Sequence, residues 1–301
     1  MMKFWKLLPL LWISLIISCS NSKNILFDQS IQSPNQNSRI KYIILHYTVS
    51  NFKSTIDIFT NNTNSPKNVS AHYVIPEPLD NSYHYKKLKV FKLVKDCQRS
   101  WHAGVSAWKG SNGLNDQSIG IEMVNQTDCK SIGEQDYFYY ADFGPQQIQL
   151  LIETLNQLMR KYPHIHPTNI IAHSDIAPGR KMDPGPKFPW ELLYRYGHGA
   201  WFDYNVMLKY AEKFSQEGLP SIAVLQQALK CYGYAVQIHG LFDQQTSQVV
   251  SAFQRHFVQD NVTGIMDIKT SAILFALLEK YYPDWVPETS NNYEGQLTIK
   301  K

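Results

Sequence analysis

Ile40-Lys41-Tyr42-Ile43-Ile44-Leu45 is a β-rich apolar run that ends on a histidine, His46. A run of this length and composition reads as a buried strand, and this one delivers a polar side chain at its end. Residues 70–75, 90–94, 118–124 and 170–172 have the same character, and the last of them delivers His173. Pro145, followed by Leu150, Leu151, Leu155, Leu158 and Met159, has helical spacing with proline at the helix start. A shorter helix is expected over 56–59. The pattern predicts an α/β layer, a sheet with polar residues at strand ends and helices on its faces.

Beyond this layer, Gln216-Glu217-Gly218-Leu219-Pro220 reads as a linker. Three apolar stripes follow: Leu225, Leu229 and Tyr232; then Val249, Val250, Phe253 and Phe257; then Ile273, Leu274, Leu277 and Leu278. Turns at Gly233, Gly240 and Gly264 punctuate this region, so a small bundle of three amphipathic helices is expected. In the other direction, residues 21–37 are polar and rich in Ser, Asn and Gln, as a tether is. Before them, Lys3 and Lys6 precede an apolar run from Leu7 to Ile17, too short to span a bilayer comfortably. That run ends in Ile16-Ile17-Ser18-Cys19, which resembles a bacterial lipobox, with cleavage before Cys19 and lipid on its thiol. Ser20 follows, where aspartate is absent; in the lipoproteins it resembles, this permits sorting to the outer membrane. The expected division is a signal peptide at 1–18, a tether at 19–38, the α/β domain at 39–205, the three-helix domain at 219–283 and a flexible tail at 284–301.

Hydrophobic residues make up 44% of the 301, enough for a sizeable core. The net charge is +4, and two of those charges sit in the leader. Such a mild balance argues against a nucleic-acid partner. Besides Cys19 there are Cys97, Cys129 and Cys231. Cys97 and Cys129 could pair in an oxidising compartment; free thiols are the equal alternative.

The chemistry concentrates at residues 173–190, His-Ser-Asp-Ile-Ala-Pro-Gly-Arg-Lys-Met-Asp-Pro-Gly-Pro-Lys-Phe-Pro-Trp. Its four prolines and two glycines fix an irregular loop, where function tends to sit. His46, His173 and Asp183 supply two imidazoles and a carboxylate, a set suited to catalytic zinc with a fourth position open. Glu122, on a strand with Ile119, Ile121 and Val124, is the candidate proton shuttle, because apolar surroundings raise a carboxylate pKa. Lys181 can place positive charge where an oxyanion develops. His72 is expected in the core, His102 in a loop as a possible substrate contact, and Asp175 as either a support for a ligand histidine or a turn cap.

These segments together resemble the N-acetylmuramoyl-L-alanine amidases, the family that includes a phage lysozyme and the peptidoglycan recognition proteins, and most of all its AmpD/AmiD branch. The resemblance runs through Leu45-His46-Tyr47-Thr48, residues 70–75, Trp101 to Trp108, Asn115 to Glu122 and the 173–190 loop. It implies a central mixed β-sheet flanked by helices and one zinc per chain on His46, His173 and Asp183, with Glu122 and Lys181 catalytic. The implied reaction is cleavage of the bond between N-acetylmuramic acid, or its 1,6-anhydro form, and L-alanine in peptidoglycan and muropeptides. The alternative is a catalytically weak or inactive wall-binding lipoprotein of the same fold. The C-terminal stripes, with Gly240-Leu241-Phe242-Asp243, Thr246, Gly264-Ile265-Met266-Asp267 and Thr270, resemble a peptidoglycan-binding domain. Asp243 with Thr246 and Asp267 with Thr270 are expected to be helix starts. The expected protein is a monomer, lipid-anchored through Cys19, facing the periplasm from the outer membrane. Its C-terminal module is expected to add wall affinity and no chemistry.

Overall fold

The structure is a computed structural model that describes residues 28, 30–61, 68–126, 128–132 and 135–286, with 128–132 and 135–139 given by backbone alone. The leader 1–18, Cys19, the first part of the tether and most of the tail lie outside the described residues. In chain order the elements are β1 (Tyr42–Tyr47), α1 (Phe52–Thr60), β2 (Tyr73–Ile75), β3 (Phe91–Lys92), β4 (Ala107–Trp108), β5 (Ser111–Asn112), β6 (Ser118–Met123), β7 (Asp128–Ile132) and β8 (Gln135–Tyr139). There follow α2 (Pro145–Lys161), β9 (Ile170–Ala172), α3 (His173–Ile176), α4 (Trp190–Arg195), α5 (Tyr204–Glu217), α6 (Ile222–Tyr232), α7 (Gln244–Phe257) and α8 (Ile268–Tyr281).

The main sheet has the order β3-β2-β6-β1-β9. Strands β2, β6, β1 and β9 run parallel and β3 antiparallel, so the sheet is mixed, as expected. Parallel strands buried on both faces carry near-continuous apolar runs, which is why 40–45 and 118–124 stand out in the sequence. Side chains alternate across a strand, and in-register partners share a face. Tyr42, Ile44 and His46 of β1 therefore lie beside Ser118, Gly120 and Glu122 of β6. Ile43 and Leu45, with Ile119 and Ile121, point the other way into the core. The pairing Leu45↔Ala172 puts His173 one step beyond the end of β9, level with His46.

Helix α2 starts with Pro145 after Gly144 and ends on Arg160 and Lys161, whose charge suits a helix C-terminus. Its Ile148, Leu151, Ile152, Leu155 and Leu158 are buried in one helical stripe. The short helix expected at 56–59 extends over 52–60, capped by Asn51, whose side chain accepts from Ser54 N–H. Helix α5 was not among the expected elements, although Val206, Met207, Tyr210 and Phe214 recur at helical spacing; Phe214 is buried and the other three pack partly buried against the core. Phe214 packs edge-on against Phe275 of α8, with ring centroids 5.2 Å apart. Cys97 and Cys231 are free thiols.

The helices α6, α7 and α8 form the expected bundle. Asp243 and Asp267 cap α7 and α8 by accepting from Thr246 N–H and Thr270 N–H, as the repeated Gly-x-x-Asp pattern predicted. The repeat has a second half. Gln226 accepts from Gly240 N–H and donates to Leu241 O and Thr246 Oγ1, while Gln254 accepts from Gly264 N–H and donates to Ile265 O and Thr270 Oγ1. Each fully buried glutamine thus staples a loop to the following helix.

The described residues from Ser38 onward make one compact unit, and the bundle shares its core with the α/β layer. Trp108 is fully buried and packs on Tyr234 at 4.8 Å and Tyr232 at 6.0 Å, while its Nε1–H donates to Thr168 O. Gly233 makes this contact possible: a Cβ there would lie 2.6 Å from the indole. Removing a tryptophan side chain from such a position costs about 3–5 kcal/mol.

Candidate active site

The carboxyl ends of parallel strands are where α/β sheets place their ligands, and β1, β6 and β9 bring His46, Glu122 and His173 there. Asp183 arrives from the proline-rich loop, through a cis Asp183–Pro184 bond, with its backbone carbonyl accepting from Ser174 N–H. The Nδ1 atoms of His46 and His173 lie 3.0 Å apart, and each lies 3.0 Å from Asp183 Oδ2. All three residues are buried.

The surrounding hydrogen bonds fix the imidazole tautomers. His173 Nε2 faces Ala103 O, which can only accept, at 3.1 Å and Arg180 Nη2, which can only donate, at 3.4 Å; the shorter contact places the proton on Nε2 and the lone pair on Nδ1. Ser118 spends its hydroxyl proton on Leu114 O at 2.6 Å, so its oxygen accepts from His102 Nε2–H at 3.1 Å. His102 Nδ1 must then accept from His46 Nε2–H at 3.0 Å, leaving the His46 Nδ1 lone pair facing His173 and Asp183. Two nitrogen lone pairs and a carboxylate oxygen converge with no proton among them. That arrangement is repulsive until a cation occupies it, and a tetrahedral ion with ~2.0–2.1 Å bonds sets its ligands about 3.3 Å apart. The donor set fits zinc.

Electrostatics keep the ligands in the required forms. Burial, reinforced by His173, lowers the His46 pKa to about 4, so it stays neutral. Glu122 is pushed well above the ordinary carboxylate range, first by burial and then by Asp183. Its Oε2 is buried and finds no hydrogen-bond partner among the described residues. A buried, unpartnered carboxylate oxygen beside such a cluster marks a group kept for chemistry.

These residues and Lys181 line a cleft of about 430 Å³. Val49, Ile58, Val69 and Trp101 give its rim an exposed apolar edge. His102 also lines the cleft, but both of its ring nitrogens are engaged, to His46 and Ser118, and burial pushes its pKa well down. His72 is fully buried and structural: Nε2–H donates to Gln98 O, while Nδ1 accepts from Gly120 N–H and the Ser100 hydroxyl. Of the two tryptophans in the 101–108 loop, Trp101 stands at the cleft and Trp108 belongs to the core.

Sequence reasoning passes over Ser118, Gly120 and Arg180, and over the distant partners of Asp175, a residue it expected as a support or a turn cap. Ser118 and Gly120 hold His102; a Cβ on Gly120 would come within 2.4 Å of its ring. The clue was a glycine inside an apolar strand, which signals close approach. Arg180 donates to Ala103 O and Val105 O, clamping the loop that orients His173. Asp175 is fully buried; it accepts from Ala172 N–H, and its other two partners, Tyr234 and His256, come from the C-terminal bundle. That link joins segments far apart in sequence, so no local pattern announces it.

The carboxyl edge of a mixed sheet and the loop beside it gather two histidines, an aspartate and a glutamate with an unpartnered Oε2, the residue set of a hydrolase. The model of the N-acetylmuramoyl-L-alanine amidase family matches residues 36–186, and that of a peptidoglycan binding domain matches residues 219–274. The chain is 38% identical to the N-acetylmuramoyl-L-alanine amidase AmiD of Escherichia coli K12 over 278 residues, 90% of this chain and 96% of that protein. AmpDh3 of Pseudomonas aeruginosa, solved with an anhydromuramic pentapeptide, superposes with a TM-score of 0.79 at 39% identity, covering 86% of this chain and 99% of that one. The E. coli AmiD complex with anhydro-N-acetylmuramic acid-L-Ala-D-γ-Glu-L-Lys superposes with a TM-score of 0.71 at 37% identity, covering 85% and 95%. The chain belongs to the N-acetylmuramoyl-L-alanine amidase family.

Proposed function

We propose that this protein is a zinc-dependent amidase that hydrolyses the bond between N-acetylmuramic acid, including its 1,6-anhydro form, and L-alanine, in peptidoglycan and muropeptides during wall turnover or recycling. The observation that carries this reading is the convergence of His46 Nδ1, His173 Nδ1 and Asp183 Oδ2 beside the unpartnered Glu122. Zinc held by those three side chains would polarise the scissile carbonyl and lower the pKa of a water to roughly 7. Glu122 takes the proton of the attacking water and delivers it to the alanine nitrogen as the C–N bond breaks. Its raised proton affinity suits both halves of that transfer. Lys181, at the cleft wall, neutralises charge developing on the carbonyl oxygen. The apolar rim suits the sugar and alanyl methyl groups.

The lipobox motif supports attachment to the outer membrane through Cys19, facing the periplasm; the proposed chain is a monomer with the polar segment 19–38 as tether, the amidase domain at 39–205 and the wall-binding helices at 219–283. Among the described residues no helix is long and apolar enough to cross a membrane. Digestion of defined muropeptides with and without a chelator, with products identified by mass spectrometry, tests the reading. Free L-alanyl peptides are expected, and their loss on chelation should reverse with zinc. Cleavage within the stem peptide, or activity indifferent to chelation, would refute it.

A further inference from the structure

The loop carrying His173, Lys181 and Asp183 rests along one helix of the wall-binding module. At Gly179 the loop meets Gln248 of α7, where a Cβ would lie 2.3 Å from the glutamine amide. Two turns on, His256 stacks on Trp190 with ring centroids 3.8 Å apart, and Gln259 donates to Phe188 O just past the helix end. Gln248 and His256 lie about two turns apart on α7, and Gln259 continues the contact beyond the helix end.

The most consequential contact is made at Asp175. This carboxylate is fully buried within α3, two residues after the metal-ligand candidate His173, with no lysine or arginine bonded to it. It accepts three hydrogen bonds: from Ala172 N–H at 2.8 Å, from the Tyr234 hydroxyl at 2.6 Å and from His256 Nδ1–H at 2.7 Å. The first of these closes the turn from β9 into α3, the turn that points His173 into the site. The other two come from the bundle. A buried carboxylate keeps its place only while its oxygens are satisfied. Without Tyr234 and His256 it would turn toward solvent and release Ala172 N–H.

We infer that Tyr234 and His256 of the wall-binding module are positioning residues for the amidase site, holding Asp175 and with it the turn that presents His173. The module is then part of the frame of the metal site as well as a wall anchor. The inference rests on the zinc reading proposed above.

The test uses the full chain carrying Tyr234→Phe, His256→Leu, His256→Asn or, as an interface control away from Asp175, Gln259→Ala. The zinc dissociation constant is measured by competition with a chromophoric chelator, together with kcat and KM on a soluble anhydromuramyl tripeptide and the melting temperature of the metal-free protein. Tyr234→Phe and His256→Leu are expected to weaken zinc by about tenfold or more, the range seen when groups supporting metal ligands are lost. They should lower kcat with little change in KM. His256→Asn, which keeps a donor near the Nδ1 position, should recover most of the affinity, and Gln259→Ala should bind zinc as wild type does. Wild-type zinc affinity in both Tyr234→Phe and His256→Leu overturns the inference, as does an equal loss in all four variants. Should His256→Leu fail to fold, Tyr234→Phe, which removes one hydroxyl, decides alone. A wild-type protein that binds no zinc would refute the underlying metal reading instead, and this inference with it.

Discussion

Replacing Gly120 by alanine adds one methyl group, and the structure says where it goes. The new Cβ would lie 2.4 Å from Cγ of His102, 2.6 Å from its Nδ1 and 2.7 Å from its Cδ2. Ordinary contact begins at 3.4 Å, so the ring must withdraw by about 1 Å, the overpacking that core insertions impose. It cannot do so and keep its bonds, because His46 Nε2 and Ser118 Oγ already stand 3.0 and 3.1 Å away. Overpacking costs about 1–3 kcal/mol and each lost hydrogen bond about 1 kcal/mol. A smaller unfolded ensemble returns about 0.4–1 kcal/mol. The net is a loss of about 2–4 kcal/mol, which for a chain of this size lowers the melting temperature by roughly 5–15 °C. His46 would also lose the partner that fixes its tautomer, so zinc affinity should fall by about 10–100-fold. Thermal unfolding of the metal-free protein measures the first effect and chelator competition the second. Adding His102→Ala removes the clash but not the missing support. The double variant should therefore be more stable than additivity predicts, by about 1–3 kcal/mol, while zinc remains weak. A Gly120→Ala protein with wild-type melting and wild-type zinc affinity would show that His102 does not bear on His46.

Glu122→Gln should reduce turnover by about 10²–10⁴-fold, as loss of a general base does, with zinc content unchanged by atomic absorption; near-normal turnover would remove Glu122 from the mechanism. Asp96 is held at a pKa of about 2: burial would raise it, but Lys161, Lys92 and the Tyr73 hydroxyl prevail. A carboxyl lowered by folding stabilises the protein above its unfolded pKa, and this contribution disappears as pH falls from about 4 toward 2. Because both lysines are about half exposed, the contribution is discounted to about 1 kcal/mol, and Asp96→Asn should remove that part of the acid dependence in urea titrations at successive pH values. A chain ended at Gly218 should lose stability and zinc affinity together, because Trp108 and Asp175 lose their cover; a wild-type melting temperature in that truncated protein would contradict the shared core.

The strands and the long helix were legible because burial on both faces of a parallel sheet demands continuous apolar runs, and a helix packed on one side demands apolar spacing of 3–4. His46, His173, Asp183, Glu122 and Lys181 could be singled out because each sits at a strand end, on an apolar strand or in a rigid loop, features written in adjacent residues. The caps at Asp243 and Asp267 were legible for the same local reason. Helix α5 was passed over although Val206, Met207, Tyr210 and Phe214 recur at helical spacing, because the stripe is short and its neighbours are mostly polar. Nor could the sequence show that His102 spends both nitrogens on His46 and Ser118, or that Gly120 is small for its sake. Hydrogen bonds between residues 16 and 56 positions apart depend on which strands become neighbours. The contacts of the C-terminal helices with the loop that carries the site were decided only by tertiary structure. Tyr234 and His256 look like ordinary core residues along the chain, and only packing sets them 2.6 and 2.7 Å from the Asp175 carboxylate, 59 and 81 residues away.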